Sequence, residues 1–330
     1  ELILVDDGST DRTGEICDEY LVSASSHKVF FRNLSQATAE NEDVRHPRRR
    51  ADATSCPEKV HYATNMSTTQ VIHQPNSGLS AARNAGVKAA SGKYLIFLDG
   101  DDYLEKGTLK TIYENLEPGL DLLRFQAQEV FESGEVDRYS EAGFATTSGT
   151  KAFRKILNYH YIENAWLYAY RREFFLENHF QYAEGCIAED FGLTPLVIAK
   201  AKRVKAISEI CYSYRQRPGS ITRGAASIRK RTVDIEQQLR RVIPELIKIP
   251  NPSPVLHYLV ASFLTSATLL EPTEFLQFYH AAKESSWLKY IHPGSLRATP
   301  RAFFLRFFPQ TFYKIYRRRD VTPQVDTNRD

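Results

Sequence analysis

Residues 93–102 read Lys93-Tyr94-Leu95-Ile96-Phe97-Leu98-Asp99-Gly100-Asp101-Asp102. An apolar run ends abruptly in three carboxylates. Clustered acids repel one another unless a cation or hydrogen-bond donors balance them. Hard oxygen ligands of this kind suit Mg²⁺ or Mn²⁺, completed by water and a substrate phosphate. A solvated acidic turn would use the same residues. A second loop, Asp6-Asp7-Gly8-Ser9-Thr10-Asp11, also puts paired carboxylates after an apolar run, Leu2 to Val5. Either it binds a ligand, or it ends a strand and caps a helix.

A third segment is Gln74-Pro75-Asn76-Ser77-Gly78-Leu79-Ser80-Ala81-Ala82-Arg83-Asn84-Ala85-Gly86. Arg83 lies near the start of a helix, where the dipole gives a cation no help. It is either a surface arginine or a planar, bidentate contact for a base or phosphate. A fourth segment, Glu184 to Asp190, puts Glu189 and Asp190 just before a helical pattern from Phe191 to Ala201. The pair either does acid–base chemistry or favours the helix dipole.

The elements that must position these groups follow from local pattern. Tyr94 to Leu98 has the length and composition of a buried parallel strand, with its acids at the carboxyl end, where open α/β sheets bind ligands. Gly8 permits a tight turn, and Ser9, Thr10 or Asp11 can cap a helix from about residue 12 to 21. Val71 and Ile72 read as a short strand. Ser77 or Ser80 is expected to cap the next helix. The small residues Ala81, Ala82, Ala85, Ala89 and Ala90 let that helix pack closely on a sheet. Arg215 and Arg217 alternate in a strand-like stretch, on one face.

The segments around Asp6-Asp7, Asn76 to Gly86 and Phe97 to Leu104, in this order, resemble family 2 glycosyltransferases. The resemblance covers residues 1–22 and 69–116 closely and continues more loosely to about residue 223. It implies a GT-A fold, a Rossmann-like mixed α/β sheet flanked by helices. It further implies metal-dependent, inverting transfer of a hexose or N-acetylhexosamine from a nucleotide sugar, expected to be UDP-linked, to a glycan or lipid-linked acceptor. Mn²⁺ or Mg²⁺ would be held by Asp101 with Asp99 or Asp102. Asp6, Asp7, Ser9, Arg83 and Asp99 would hold the nucleotide, with Arg215 and Arg217 near the diphosphate. Asp190, beside Glu189, would be the catalytic base. Trp166 and Tyr168 are either sugar-stacking aromatics or core residues.

Two features depart from that family. The βα unit that normally precedes the Val-Asp-Asp strand is absent, which is expected to expose strand edges and apolar surface. The chain therefore reads as a fragment or an incomplete gene product. Residues 22–69 form a polar insertion with little apolar periodicity, expected to be loop or disorder. Its run Arg48–Arg50 contacts anions or is a tolerated insertion, and Cys56, His46, His61 and His73 lack zinc spacing. Such departures also fit a degenerate, nucleotide-binding remnant without catalysis.

The domains expected are 1–223, a catalytic α/β domain, and 224–330, a helical region. A formal charge of +3 over 330 residues argues against nucleic acid. Four scattered cysteines suggest no disulfide framework, and the sequons at Asn33 and Asn65 carry little weight. A cytoplasmic location, or a peripheral one at the cytoplasmic membrane face, is expected. Val255 to Leu270 is shorter than a membrane span and reads as a packed helix. From Arg297 to Arg319, aromatics mix with basic residues and no acid intervenes; Pro309 should kink the helix. This segment suits an anionic membrane surface, or docks on its own domain with a basic outer face. A phosphatase-like Asp-x-Asp reading is disfavoured by Tyr103, and a calcium loop by Lys110 at its twelfth position.

Overall fold

A computed structural model describes residues 1–22, 69–139, 141–216, 225–292 and 299–320. The Arg48–Arg50 run, Cys56, His46, His61, Asn33, Asn65, Arg217 and Arg297 lie outside them. The described chain divides into two units, Glu1–Ser91 and Gly92–Asp330.

The first unit holds β1 (Leu2–Asp6), a helix α1 over residues 13–22, β2 (Thr69–His73) and α2 (Leu79–Ala89). β1 and β2 pair in parallel, from Leu2 opposite Thr69 to Asp6 opposite His73. Small residues let α2 approach this sheet, and a Cβ at Gly86 would lie 3.8 Å from Val5. Leu2, Ile3, Leu4 and Val5 are only half-buried. The strand thus keeps part of its apolar surface exposed.

The second unit is organised by β5 (Leu122–Phe131), whose first eight residues are all buried. It lies between β8 (Tyr168–Arg171), antiparallel, and β9 (Val204–Gln216), parallel. Burial on both faces explains the near-continuous apolar character of Leu122 to Phe125, and the polar exception, Arg124, is partnered through its two terminal nitrogens while its Nε is buried without a hydrogen bond. Arg124 is 1% exposed. It pairs with Glu141 at 2.9 Å and donates to Gln126 Oε1 and the Tyr161 carbonyl, each at 2.8 Å.

The remaining strands are β3 (Tyr94–Ile96), β4 (Tyr103–Leu104), β6 (Val136–Arg138) and β7 (Phe144–Thr147). They complete a seven-stranded mixed sheet of order β3-β8-β5-β9-β4, with β6 on β5 and β7 on β9. The expected parallel strand at Tyr94 to Leu98 is corrected here. β3 ends at Ile96 and pairs antiparallel with β8. An apolar run reports burial, not the direction of its partner. Phe97 leaves the ladder to pack among Tyr170, Phe175 and Tyr182, at ring separations of 5.5, 6.4 and 5.4 Å.

Asp121, 3% exposed, locks the start of β5. Its carboxylate accepts Arg171 Nε at 3.1 Å and an Arg171 terminal nitrogen at 2.7 Å. It also accepts the backbone N–H groups of Lys202 at 2.7 Å and Arg203 at 3.1 Å. One side chain thereby joins β8, β5 and the entry to β9.

Helices α3 (Thr108–Asn115), α4 (Gly149–Ile156), α5 (Arg172–Glu177) and α6 (Glu189–Lys200) accompany this sheet. They are followed by α7 (Ala225–Leu246), α8 (Ser253–Ala267), α9 (Pro272–Glu284), α10 (Thr299–Phe307) and α11 (Pro309–Asp320). α8 is a packed helix as expected, burying Val255, Leu256, Leu259, Val260, Phe263 and Leu264. No described helix is long and apolar enough to cross a membrane. Trp166 and Tyr168 are core residues, 3% and 0% exposed.

Candidate active site

In the first unit, Asp6 and Asp7 sit at the carboxyl end of β1. Asp6 Oδ1 accepts the Ser9 N–H at 3.0 Å, and Oδ2 meets His73 Nδ1 at 2.9 Å. His73 Nε2 reaches Asp18 at 3.1 Å. The hydrogen bonds from Ser9, then from His73, hold Asp6 down at about 2. His73, between two carboxylates, is raised above its ordinary 6.5, chiefly by its hydrogen bonds to Asp6 and Asp18. Asp6 therefore contributes stability above its unfolded value of 3.8 and loses it as pH falls through about 2. His73 contributes fully below 6.5 and loses its share as pH rises through its folded value. The bridge is complete only in the window between those limits. Hydrogen exchange should show protection in β1 and β2, corrected for intrinsic rate, falling between about pH 5.5 and about pH 8.5, with β5 unchanged. Equal protection of β1 at both pH values would contradict the bridge.

Asp7 has a different set of partners. Oδ1 accepts Gln74 Nε2 at 2.6 Å and the Ser77 N–H at 3.0 Å; Oδ2 accepts the Gly78 N–H at 2.7 Å. It thus caps α2 from across the unit. The expectation that Ser77 or Ser80 caps α2 is corrected, because Gly78 is the N-cap residue and no side chain of its own caps it. The approach is close: Gly8 has φ +69°, and a Cβ there would meet the Asn76 nitrogen at 2.5 Å. Asp11 caps α1, accepting the Thr13 N–H at 2.9 Å. Arg83 is no surface arginine, being 7% exposed.

In the second unit, the turn after β3 is closed by Asp102 N–H to the Asp99 carbonyl, 3.0 Å. Tyr212 on β9 clamps it. Its hydroxyl donates to Asp102 Oδ2 at 2.6 Å and accepts the Asp99 N–H at 3.2 Å. Arg215 N–H reaches Asp102 Oδ1 at 2.8 Å. The Tyr212 ring is 0% exposed and stacks on Trp166, centroids 4.4 Å apart and planes 11° apart. Partial burial, aided by Asp101 and Asp99, lifts Asp102 to about 6 against the opposing hydrogen bonds. Sequence reading missed the role of Tyr212, although Tyr212 and Tyr214 alternate onto one face of a strand, and both stack on Trp166.

Among the described residues, no group of three or more His, Cys, Asp or Glu side chains is gathered to hold a metal. The carboxylates in this turn are those of Asp99, Asp101 and Asp102, the last of them also engaged by Tyr212 and Arg215. Carboxylate oxygens of this kind fit Mg²⁺ or Mn²⁺, which keep waters and take substrate phosphates as further ligands.

Glu189 and Asp190 form the first turn of α6, Glu189 at 6% exposure and Asp190 half-exposed. The loop before them is pinned from α7. Asp234 Oδ2 accepts the Ile187 N–H at 2.8 Å, and Lys230 Nζ bridges Asp234 at 2.8 Å to the Gly185 carbonyl at 2.8 Å. Asp234 and Lys230 carried no sequence signal. Cys17, Cys186 and Cys211 are free thiols.

A mixed sheet flanked by helices, with carboxylates in the turns that leave its strands, is the GT-A architecture. TarS 1-349 from S. aureus, solved in complex with UDP-GlcNAc, is similar with a TM-score of 0.58 and 18% identity, covering 96% of this chain and 80% of that one. The Glycosyl transferase family 2 profile matches residues 60–180. The chain therefore carries a family 2 glycosyltransferase domain. It is 31% identical over 228 residues to the uncharacterized glycosyltransferase EpsJ of Bacillus subtilis (strain 168), covering 67% of this chain and 54% of that protein. Glycosyltransferase GlyA of Streptococcus pneumoniae is 26% identical over 239 residues, covering 68% of this chain and 27% of its own length. The chain thus spans only part of both relatives.

Proposed function

We propose that the chain is a metal-dependent, inverting glycosyltransferase. It moves a hexose or N-acetylhexosamine from a UDP-sugar to a glycan or lipid-linked acceptor in cell-surface polysaccharide synthesis. The observation that carries this is the Asp99–Asp102 turn, held rigid by Tyr212 and Arg215 at the end of β3. UDP is proposed as the nucleotide because the similar TarS fold was solved with UDP-GlcNAc.

Asp101 with Asp99 would hold Mn²⁺ or Mg²⁺, which supplies charge neutralisation to the departing diphosphate. Asp102 keeps the turn in shape. Asp6, Asp7, Ser9 and Arg83 are assigned to the nucleotide, and Arg215 and Arg217 to the diphosphate. Asp190 takes the proton of the acceptor hydroxyl as that oxygen attacks the anomeric carbon, and Glu189 supports it. One base and direct displacement invert the anomeric configuration. Residues 1–223 form the catalytic domain and 224–330 a helical region that works at the cytoplasmic membrane face.

The test is a thermal-shift titration with UDP, GDP and CDP, with and without Mn²⁺. A ligand at a hundred times its Kd stabilises the native state by about 2.7 kcal/mol. A UDP shift that requires Mn²⁺ and disappears in Asp101→Ala is expected. A cooperative melt that no nucleotide moves would overturn the donor-site reading, and binding without transfer would leave a nucleotide-binding chain without catalysis.

A further inference from the structure

Helices α10 and α11 present two different faces. One is docked: Ala302, Leu305, Phe312 and Tyr313 are 4%, 1%, 0% and 6% exposed. Polar ties reinforce it, with Tyr313 hydroxyl on the Leu270 carbonyl at 2.8 Å, Tyr279 hydroxyl on the Arg306 carbonyl at 2.8 Å, and Arg317 paired with Glu271 at 2.9 Å. The other face is open. Phe303, Phe307 and Phe308 are 43%, 52% and 49% exposed and form one cluster, with Phe303 5.3 Å from Phe307 and 5.6 Å from Phe308. The chain breaks at Phe308, and Pro309 opens α11, so the corner projects these rings. Ile315 adds apolar surface on α11, at 37% exposure.

Charge decides what such a corner meets. Residues 299–319 contain no acid, and Arg301, Arg306 and Lys314 bring positive charge to this corner, while Arg317 is paired with Glu271 on the docked face. The Arg306 guanidinium lies 5.3 Å over the Phe307 ring, directly against the patch. Exposed phenylalanines need a hydrocarbon environment, and the basic rim needs anions beside it. A bilayer with anionic headgroups offers both within a few ångströms of depth. A second copy of this chain would bring basic rim against basic rim. A polyanionic glycan would leave the phenylalanine cluster in water.

We infer that the α10–α11 corner is the surface by which the chain docks onto an anionic membrane, inserting Phe303, Phe307 and Phe308 into the headgroup–acyl boundary. The inference deepens the proposed position at a membrane face. The test is flotation of the full chain with vesicles of phosphatidylglycerol and phosphatidylcholine, against phosphatidylcholine alone. Flotation is expected with the anionic vesicles only, and to weaken in high salt. The triple variant Phe303→Ser, Phe307→Ser, Phe308→Ser should partition at least about tenfold less with an unchanged melting temperature. Lys314→Glu, at an exposed position, should reduce flotation in low salt while keeping the phenylalanines. If the wild type stays unbound, or if the triple variant floats as well as the wild type, the inference is overturned. A change of oligomeric state in the triple variant with no change in flotation overturns it in favour of a contact between copies. The UDP–Mn²⁺ thermal shift is read separately, so failure of the donor site and failure of the docking surface remain distinguishable.

Discussion

Asp190→Asn should lower transfer by about 10²–10⁴-fold, the usual worth of a positioned general base. UDP binding in the presence of Mn²⁺ should survive the change, because asparagine keeps the size and shape of the side chain and removes its basicity. Two features of the structure make this a clean experiment. Asp190 is at the first turn of α6, where an acid contributes about 0.3–1 kcal/mol through the dipole. The preceding loop is held independently by Asp234 and Lys230 from α7, so the backbone carrying the variant stays in place. Glu189→Gln is the companion, and Glu189 is 6% exposed against the half-exposed Asp190. Full activity in Asp190→Asn would refute its assignment as the base. Loss confined to Glu189→Gln would transfer the role to that residue.

The largest effect on stability is expected at Asp121, far in sequence from every motif with chemistry. Asp121→Ala should cost about 3–5 kcal/mol, the range for breaking a buried pair from one side. The variant removes the acceptor 2.7 Å from Arg171, which keeps only its pair with Glu173, and strands the N–H groups of Lys202 and Arg203. A melting temperature lower by on the order of 10 °C would follow for a domain of this size. In a double-mutant cycle with Arg171→Ala, the combined cost should be less than the sum, because the partners share one interaction. A loss below about 1 kcal/mol for Asp121→Ala would show that the carboxylate does not lock β5 against β8 and β9.

Much of the site could be read in the sequence because its parts are local. An acid two residues from another, a glycine in a tight turn and a helix start after a strand are all properties of short windows. So the turn at Asp99–Asp102, the loop at Asp6–Asp11 and the acids opening α6 stand where the sequence puts them. Burial was readable too, since the apolar run in α8 became a packed helix. The terminal segment shows where such reading stops. Its alternation of aromatic and basic residues allowed membrane contact or self-docking, and the structure shows a docked face with a second face left open.

Other assignments needed the third dimension. Asp7 looks like a ligand-binding acid or a local cap, yet its oxygens accept donors 67, 70 and 71 residues away. Tyr212 bridges two acids from 110 and 113 residues off. Asp121 looks like a polar interruption before an apolar run and proves to join three strands. Strand direction was likewise invisible at β3, whose antiparallel partner begins 74 residues beyond its first residue at Tyr168. The sequence by itself determined which residue types stand at each strand end and helix start, because those follow from local backbone preference and side-chain periodicity. Only the tertiary structure decided which donors and acceptors meet, because a hydrogen bond between distant residues leaves no period in the chain. Its geometry is set when the sheet fixes its register.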